Sequence, residues 1–88
     1  MTFTPAQCRA ARALLNWSQD DLVSRSKISK KTIADFERAA TQPHAQTRAQ
    51  IALAFEVAGI QFLNSEAPGV RLKGKPRRAR SSAPRPRN

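Results

Sequence analysis

A cationic, hydrogen-bonding turn, Ser29-Lys30-Lys31-Thr32, opens a short predicted helix that runs to Arg38. A lysine in this turn can donate to O6 and N7 of a guanine, and Asp35 can accept from the amino group of a cytosine. Helix N-termini and nearby amides hold phosphates, which fixes the register of a protein on a duplex. The chemistry indicated here is recognition of a nucleic acid rather than the breaking of a bond.

The same helix carries the residues that would hold this turn in place. Ser29 is a good N-cap, because its hydroxyl can accept from an amide two or three residues further on. Ile33 and Phe36 lie three residues apart and therefore share a face that can be buried in a core. The pattern predicts an anchored helix over residues 29–38 that points two lysines outward.

Two of the polar side chains have an alternative interpretation. Lys30 can contact a phosphate instead of a base edge. Asp35 can pair with Lys31, which lies four residues earlier on the same helix, although this order of charges is the weaker one. Both alternatives stay open at the level of sequence, and the intrahelical pair is slightly favoured for Asp35.

A second helix is predicted just before this one. Ser18 is positioned to cap it, and the two aspartates that follow Gln19 complement the positive end of its dipole. Residues 26–28 form the connector. Trp17 precedes the cap and is expected to pack across the front of the helix as part of the core, with stacking on a base as the alternative.

Two further helices are predicted to complete a helical body. The first begins with Thr4 as its cap, proline at the first helical position and Gln7 completing a capping box, and it ends at Leu15 with Asn16 in the left-handed conformation. Its Cys8 is expected to be a small buried hydrophobe. The last runs from Ala45 to Ala58, and its predicted buried face consists of Ile51, Ala54, Phe55 and Ala58.

The remainder of the chain predicts a β-hairpin and a tail. Residues 60–63 and 70–73 are short, alternating and β-prone, and the segment between them, residues 64–69, is rich in turn formers. Residues 74–88 contain three prolines and almost no large apolar side chains, so they are predicted to be disordered.

The charge of the chain favours a polyanionic partner. The formal net charge is +10 over 88 residues, and residues 73–88 contribute +7 of it, since they carry seven Lys or Arg and no acid. Nucleic acid is the first partner that such a balance suggests, and an anionic membrane surface is the second.

Several classes of function are disfavoured by composition. A single cysteine and a single histidine cannot supply an internal disulfide or a protein metal site. The residue types needed for a catalytic centre or a glycine-rich phosphate loop are also missing, so we expect no enzyme activity, no cofactor, no metal and no small-molecule ligand. No signal peptide or apolar run of membrane-spanning length is expected, which suggests a cytoplasmic, nucleoid-associated protein without membrane contact.

Residues 14–22 and 28–37 together resemble the phage repressor/Cro-type helix-turn-helix family, and the similarity extends over residues 5–58. The resemblance implies an all-α fold: a compact four-helix DNA-binding domain, here followed by a short β-hairpin. The domain would span residues 1–73, with residues 74–88 as the disordered basic tail. The helix at residues 29–38 would enter the major groove.

The resemblance also assigns roles to individual residues. It implies that Gln19 bridges a base edge and a phosphate, and that Lys30, Lys31 and Asp35 read bases. It further implies that an arginine on the first helix pairs with a glutamate late in the recognition helix, and these positions are Arg12 and Glu37 here. The expected DNA-contact residues are Gln19, Ser29, Lys30, Lys31, Thr32, Asp35 and Arg38.

Three positions depart from the family's usual pattern. Lys27 and Ala39 stand where the family commonly has glycine, and Arg48 stands where it commonly has leucine. If the family's backbone is kept, Lys27 and Ala39 need positive φ angles, which cost a non-glycine residue on the order of 1 kcal/mol.

The function expected from these features is that of a sequence-specific, double-stranded-DNA-binding transcriptional regulator of the repressor type. Two alternatives are an antitoxin-like protein-interaction module and a non-specific nucleic-acid binder driven by the tail. A homodimer is expected, because family members bind two half-sites. The predicted hairpin at residues 60–73 is the expected interface, because it offers an exposed edge with Phe62, Leu63, Val70 and Leu72 nearby.

Overall fold

A computed structural model describes residues 3–63 and 68–73 of the chain. The described part is a compact arrangement of four α-helices and one two-stranded antiparallel hairpin. The elements in chain order are α1 (Pro5–Leu15), α2 (Gln19–Ser26), α3 (Lys30–Glu37), α4 (Ala45–Val57), β1 (Ile60–Leu63) and β2 (Gly69–Leu72). The predicted turn at residues 64–67 and the predicted tail at residues 74–88 lie outside the described residues.

The helix starts follow the sequence signals closely. At α1, the Thr4 hydroxyl accepts from the Gln7 amide at 3.1 Å while the Gln7 side chain accepts from the Thr4 amide at 3.0 Å. Ser18 and Asp21 form the same reciprocal box at the start of α2, at 3.0 and 2.9 Å. Each box satisfies two amides that a helix start would otherwise leave without a partner. The predicted caps at Thr4 and Ser18 are therefore confirmed.

Three helix ends use the left-handed backbone conformation without glycine. The φ angles are 57° at Asn16, 64° at Lys27 and 61° at Ala39. The positive angle expected at Asn16 is confirmed, as are the two expected where glycine is absent. Lys27 and Ala39 therefore carry a conformational cost of roughly 1 kcal/mol each relative to glycine. The chain thus adopts positive φ angles both before and after α3, although neither position has a glycine.

The hairpin differs slightly from its predicted bounds. Strand β2 begins at Gly69 and ends at Leu72, one residue earlier than predicted, and Phe62 lies opposite Val70. Helix α4 ends at Val57 instead of Ala58. The side-chain amide nitrogen of Gln7 donates to the carbonyls of Leu63 at 3.3 Å and Gly69 at 3.0 Å, which ties the hairpin to α1. From sequence, only a capping role was predicted for Gln7.

The buried core joins all four helices and the first strand. Phe3, which the sequence analysis did not place, is its aromatic centre, with ring centroids 5.4 Å from Phe36 and 5.0 Å from Phe62. The Trp17 ring stacks on Phe55 at 5.6 Å, in agreement with its core interpretation. The prediction for the inner face of α4 was partly wrong: Ala52 is buried with Ile51 and Phe55, whereas Ala54 and Ala58 are only half-buried. The fully buried apolar set is Phe3, Cys8, Ala11, Leu22, Ile33, Phe36, Ile51, Ala52, Phe55 and Ile60.

The predicted exposure of the hairpin was also partly wrong. Phe62 and Val70 pack against the core, because the register places them on the same, inward face of the hairpin. Leu63 and Leu72 are 37% and 41% exposed at its margin. The hairpin thus offers a partner less apolar surface than its sequence suggests.

Across residues 3–63 and 68–73, every helix is too short or too polar to traverse a lipid bilayer.

Candidate nucleic-acid interface

Helix α3 is anchored by one face and open on the other. Ile33 is fully buried and Phe36 is 2% exposed, so the helix cannot rotate or slide without opening the core. The Ser29 hydroxyl accepts from the Thr32 amide at 3.2 Å and donates to the Thr32 hydroxyl at 2.9 Å. Ser29 and Thr32 therefore set the first turn of α3, and their hydroxyls lie beside the two lysines.

The two lysines of this turn project outward. The side chain of Lys30 is 59% exposed and that of Lys31 is 85% exposed. The Lys30 Nζ lies 3.1 Å from Asp20 Oδ1, on a carboxylate that is itself 74% exposed. An ion pair this open contributes about 0–1 kcal/mol, so a phosphate or a base edge can displace Asp20 at little cost.

Asp35 is held by its own helix. Its Oδ2 lies 3.1 Å from the Lys31 Nζ and its Oδ1 lies 2.7 Å from Arg38 Nη2. The hydrogen bonds from Arg38, and next from Lys31, hold the pKa of Asp35 below its usual value. Of the two roles considered for Asp35, the structure contains the intrahelical pair. Asp35 thereby aligns Lys31 and Arg38 along the exposed face of α3.

A buried polar cluster, the Glu37 cluster, lies behind this face and consists of Cys8, Arg12, Gln19 and Glu37. The Glu37 carboxylate accepts two hydrogen bonds from Arg12, each 2.7 Å long, through Nε and Nη2. It also accepts from the Cys8 thiol at 3.0 Å and from the Gln19 side-chain amide at 3.0 Å. A single carboxylate thus joins α1, α2 and α3.

The Glu37 carboxylate is ionised although its side chain is only 4% exposed. Burial alone would raise the pKa of Glu37, but hydrogen bonds from Arg12, Gln19 and Cys8 outweigh it and leave the pKa below its ordinary value. The hydrogen bond with Glu37 raises the pKa of Arg12, against the opposing effect of partial burial. Burial, and then Glu37 itself, raises the pKa of the Cys8 thiol, which keeps the thiol protonated as a donor.

Gln19 connects the buried cluster with the exposed face. It is the first residue of α2 and half-buried, with its amide nitrogen on Glu37 Oε1. Its position is therefore determined by the same carboxylate that fixes α3 relative to α1. A side chain held in this way starts from a defined geometry, which lowers the entropic cost of a further contact.

The structure divides the seven residues expected to contact DNA into two groups. Lys30, Lys31 and Arg38 present exposed cationic ends, whereas the other four make local contacts that fix the shape of the surface. Those four are Gln19, Ser29, Thr32 and Asp35. The expected pairing of Arg12 with Glu37 is present as a bidentate ion pair.

Two residues of this region were missed by the sequence analysis. Cys8 was expected only as a small apolar side chain, yet it donates to Glu37. Arg9 donates from Nη1 to the main-chain carbonyl of Glu37 and so holds the end of α3. The available signal was spacing, because Cys8 and Arg12 lie four residues apart on one face of α1.

No group of three or more histidine, cysteine, aspartate or glutamate side chains in the described ranges is arranged to hold a metal ion. No protein-family model and no curated protein matches this chain.

Proposed function

We propose that this chain is a sequence-specific, double-stranded-DNA-binding transcriptional regulator, a repressor that reads the major groove with α3. The observation that carries the proposal is the outward cationic turn of α3 on a fully buried anchor. Lys30 and Lys31 are exposed, whereas Ile33 and Phe36 behind them are not. Discrimination between base pairs needs donors held in a defined position, and an anchored helix provides that position.

The arrangement of α2 and α3 supports the same proposal. The N-terminus of α2, with Gln19, lies against the C-terminal part of α3 through Glu37. In the helix-turn-helix family that the sequence resembles, the first helix crosses the backbone and the second enters the groove. Our assignment to that family is a hypothesis that rests on residues 14–22 and 28–37 and on this arrangement.

The proposed protein acts as a homodimer on two half-sites in the nucleoid, without catalytic activity or a cofactor. A single α3 covers only one half-site, and two-fold symmetric dimers match the symmetry of operators. The antitoxin-like module and the non-specific binder are the competing functions. The proposal places recognition of the DNA sequence in α3, whereas neither alternative does, and the sequence preference of variants in α3 can be measured.

The decisive experiment compares Lys30→Ala with Arg71→Ala, each of which removes one positive charge. A preferred duplex is first selected from a random DNA pool. Lys30→Ala should weaken binding to that duplex by about 1–3 kcal/mol and binding to random DNA much less. Arg71 is exposed on the hairpin and donates to Gln61. Arg71→Ala should therefore weaken binding to both duplexes slightly and equally. A pool without enrichment, or equal losses for both variants on both duplexes, would contradict sequence-specific reading by α3.

The basic tail, whose structure lies outside the described residues, has a separate predicted role. The six positive charges of residues 74–88 can attract phosphates without reading bases. Deletion of residues 74–88 should weaken binding to all duplexes alike and flatten the dependence of affinity on salt. If this deletion abolished site preference while Lys30→Ala preserved it, the tail-driven alternative would replace the proposed function.

A further inference from the structure

Helix α4 is apolar on two opposite sides, and only one of them is covered. Ile51, Ala52 and Phe55 are buried in the core, whereas Leu53 is 57% and Val57 is 80% exposed. The two exposed residues lie four positions apart and therefore form one stripe. An apolar helix face is normally covered by another element, and among residues 3–63 and 68–73 this stripe has no such cover.

A groove runs beside this stripe, between α2 and α4. It encloses about 370 Å³ and is lined in part by Arg25, Lys27, Gln50, Leu53, Ala54 and Val57. The α2 side of the groove is basic. The guanidinium of Arg25 lies 4.9 Å above the centre of the Trp17 ring, which fixes its position.

The opposite flank of the stripe is acidic. At about 100° per residue, Glu56 lies about 60° from Leu53 on the side away from Gln50 and Ala54, and therefore away from α2. Glu56 is exposed, and neither Glu56 nor Lys27 takes part in an ion pair among the described residues. The surface thus consists of a basic flank, an apolar centre and an acidic flank.

The charges on the two flanks limit which molecule can cover the apolar stripe of α4. The tail of the same chain, residues 74–88, carries six positive charges and no acid, so Arg25 and Lys27 would repel it. DNA fits this surface poorly, because its centre is apolar and one of its flanks carries the negative charge of Glu56. A second copy of this surface fits, because it supplies an apolar stripe together with both signs of charge.

We propose that α4 and the α2–α4 groove form the homodimer interface of this protein. The two-fold axis runs along α4, since this axis sets the basic flank of each copy against the acidic flank of the other. An axis across α4 would place like charges together. The two α4 helices are then parallel, and Leu53 and Val57 each meet their own counterpart. The inference rests on the homodimer of the proposed function and moves the interface from the hairpin to α4.

The first test is sedimentation equilibrium of the full-length chain without DNA. The wild-type protein should sediment as a dimer, and Val57→Glu should raise the dissociation constant by about a hundredfold or more, because it buries a charge at the centre of the interface. Leu14→Glu is the matched control, since Leu14 is 45% exposed on α1, and it should leave the dimer intact. A monomeric wild-type protein, or a Val57→Glu protein that dimerises normally, would overturn the inference and leave this face for a different protein.

The second test exploits symmetry and does not depend on an apolar-to-charged change. Lys27→Glu and Glu56→Lys should each weaken the dimer, because each places like charges face to face in both halves of the interface. The double variant should dimerise again, as should an equimolar mixture of the two single variants. If neither the double variant nor the mixture dimerised, that result would contradict the proposed axis.

A third test locates the interface directly and separates it from DNA binding. Leu53→Cys should form an intermolecular disulfide under mild oxidation, whereas Leu63→Cys on the hairpin should not. The reverse result would restore the hairpin as the interface. The selected duplex and the Lys30→Ala titration measure the function of α3 within one protomer, so a dimer at another surface would leave those results unchanged. If the wild-type protein dimerised through α4 but selected no preferred duplex, that result would contradict the proposed function and leave the interface proposal standing.

Discussion

Helix α3 carries two carboxylates, Asp35 and Glu37, which are only two positions apart and have opposite surroundings. Both accept from two or more side chains, and both have pKa values below the ordinary range. The partners of Asp35 are the exposed Lys31 and Arg38 of its own helix, whereas Glu37 is buried and accepts from α1 and α2.

This difference separates two uses of charge within one helix. At Asp35 the pairs remain in contact with water, where screening and side-chain entropy remove most of their net energy. At Glu37 the removal of one partner would leave an ion without solvent, which is costly. We therefore expect the Glu37 cluster to hold α3 in place, and the Asp35 pairs to arrange the cations that α3 presents.

The largest expected effect is at Arg12. Arg12→Ala leaves the Glu37 carboxylate buried without its bidentate partner, and it should lower the free energy of unfolding by about 3 kcal/mol. The matched variant Arg38→Ala removes an arginine from Asp35 and should change stability by less than about 0.5 kcal/mol. Urea denaturation of both proteins measures the two values. Similar losses would mean that the two carboxylates do not differ in the way that their burial suggests.

The next effect is the pH dependence of stability. Because the pKa of Glu37 in the fold is below its ordinary value of 4.5, the carboxylate stabilises the fold above that value and loses this contribution as the pH falls towards the lowered pKa. Unfolding free energy should therefore decrease below about pH 4.5.

Two variants assign this decrease to one residue. The unfolding free energy, measured by denaturation at a series of pH values from neutral to acidic, should depend much less on pH for Glu37→Gln than for the parent. Asp35→Asn should follow the parent more closely, since its partners are exposed. An unchanged slope for Glu37→Gln would show that the buried carboxylate is not the group that titrates.

A smaller effect concerns the backbone that follows both carboxylates. Ala39 ends the α3 turn with a φ of 61°, and glycine adopts this conformation without the strain caused by Cβ. Ala39→Gly should raise the melting temperature, with a gain of up to about 1 kcal/mol after the extra freedom of glycine in the unfolded chain is included. Ala40→Gly is the control, because Ala40 is exposed and has no positive φ, and it should not stabilise. A destabilised Ala39→Gly protein would contradict the view that this turn is strained.

The smallest effect on stability is expected for Asp35→Asn, which should melt close to the parent. On DNA the same variant separates the two roles considered for this residue. If Asp35 only aligns Lys31 and Arg38, the selected duplex keeps its sequence preference and binding to all duplexes tightens, since one negative charge is lost. A changed preference at a cytosine in the site, found by repeating the selection with the variant, would show that Asp35 reads a base.

The sequence by itself determined the features that depend on residues within about four positions of each other. The capping boxes at Thr4 and Ser18 and the left-handed end at Asn16 are of this kind. They were predictable because hydroxyl-to-amide hydrogen bonds and φ preferences are local properties. The start of α3 at its Ser29 cap follows from the same signals. The positive φ angles at Lys27 and Ala39 were instead expected only from the resemblance to the helix-turn-helix family, because neither residue type prefers them.

Only the tertiary structure decided which distant residues meet. It placed Phe3 at the centre of the core and the Cys8 thiol on Glu37. It also turned Phe62 and Val70 inward while leaving Val57 80% exposed. These contacts join positions far apart in the chain, and they depend on how whole helices pack against one another. A local pattern identifies which face of an element is apolar, but the packing of the other elements decides whether that face is covered.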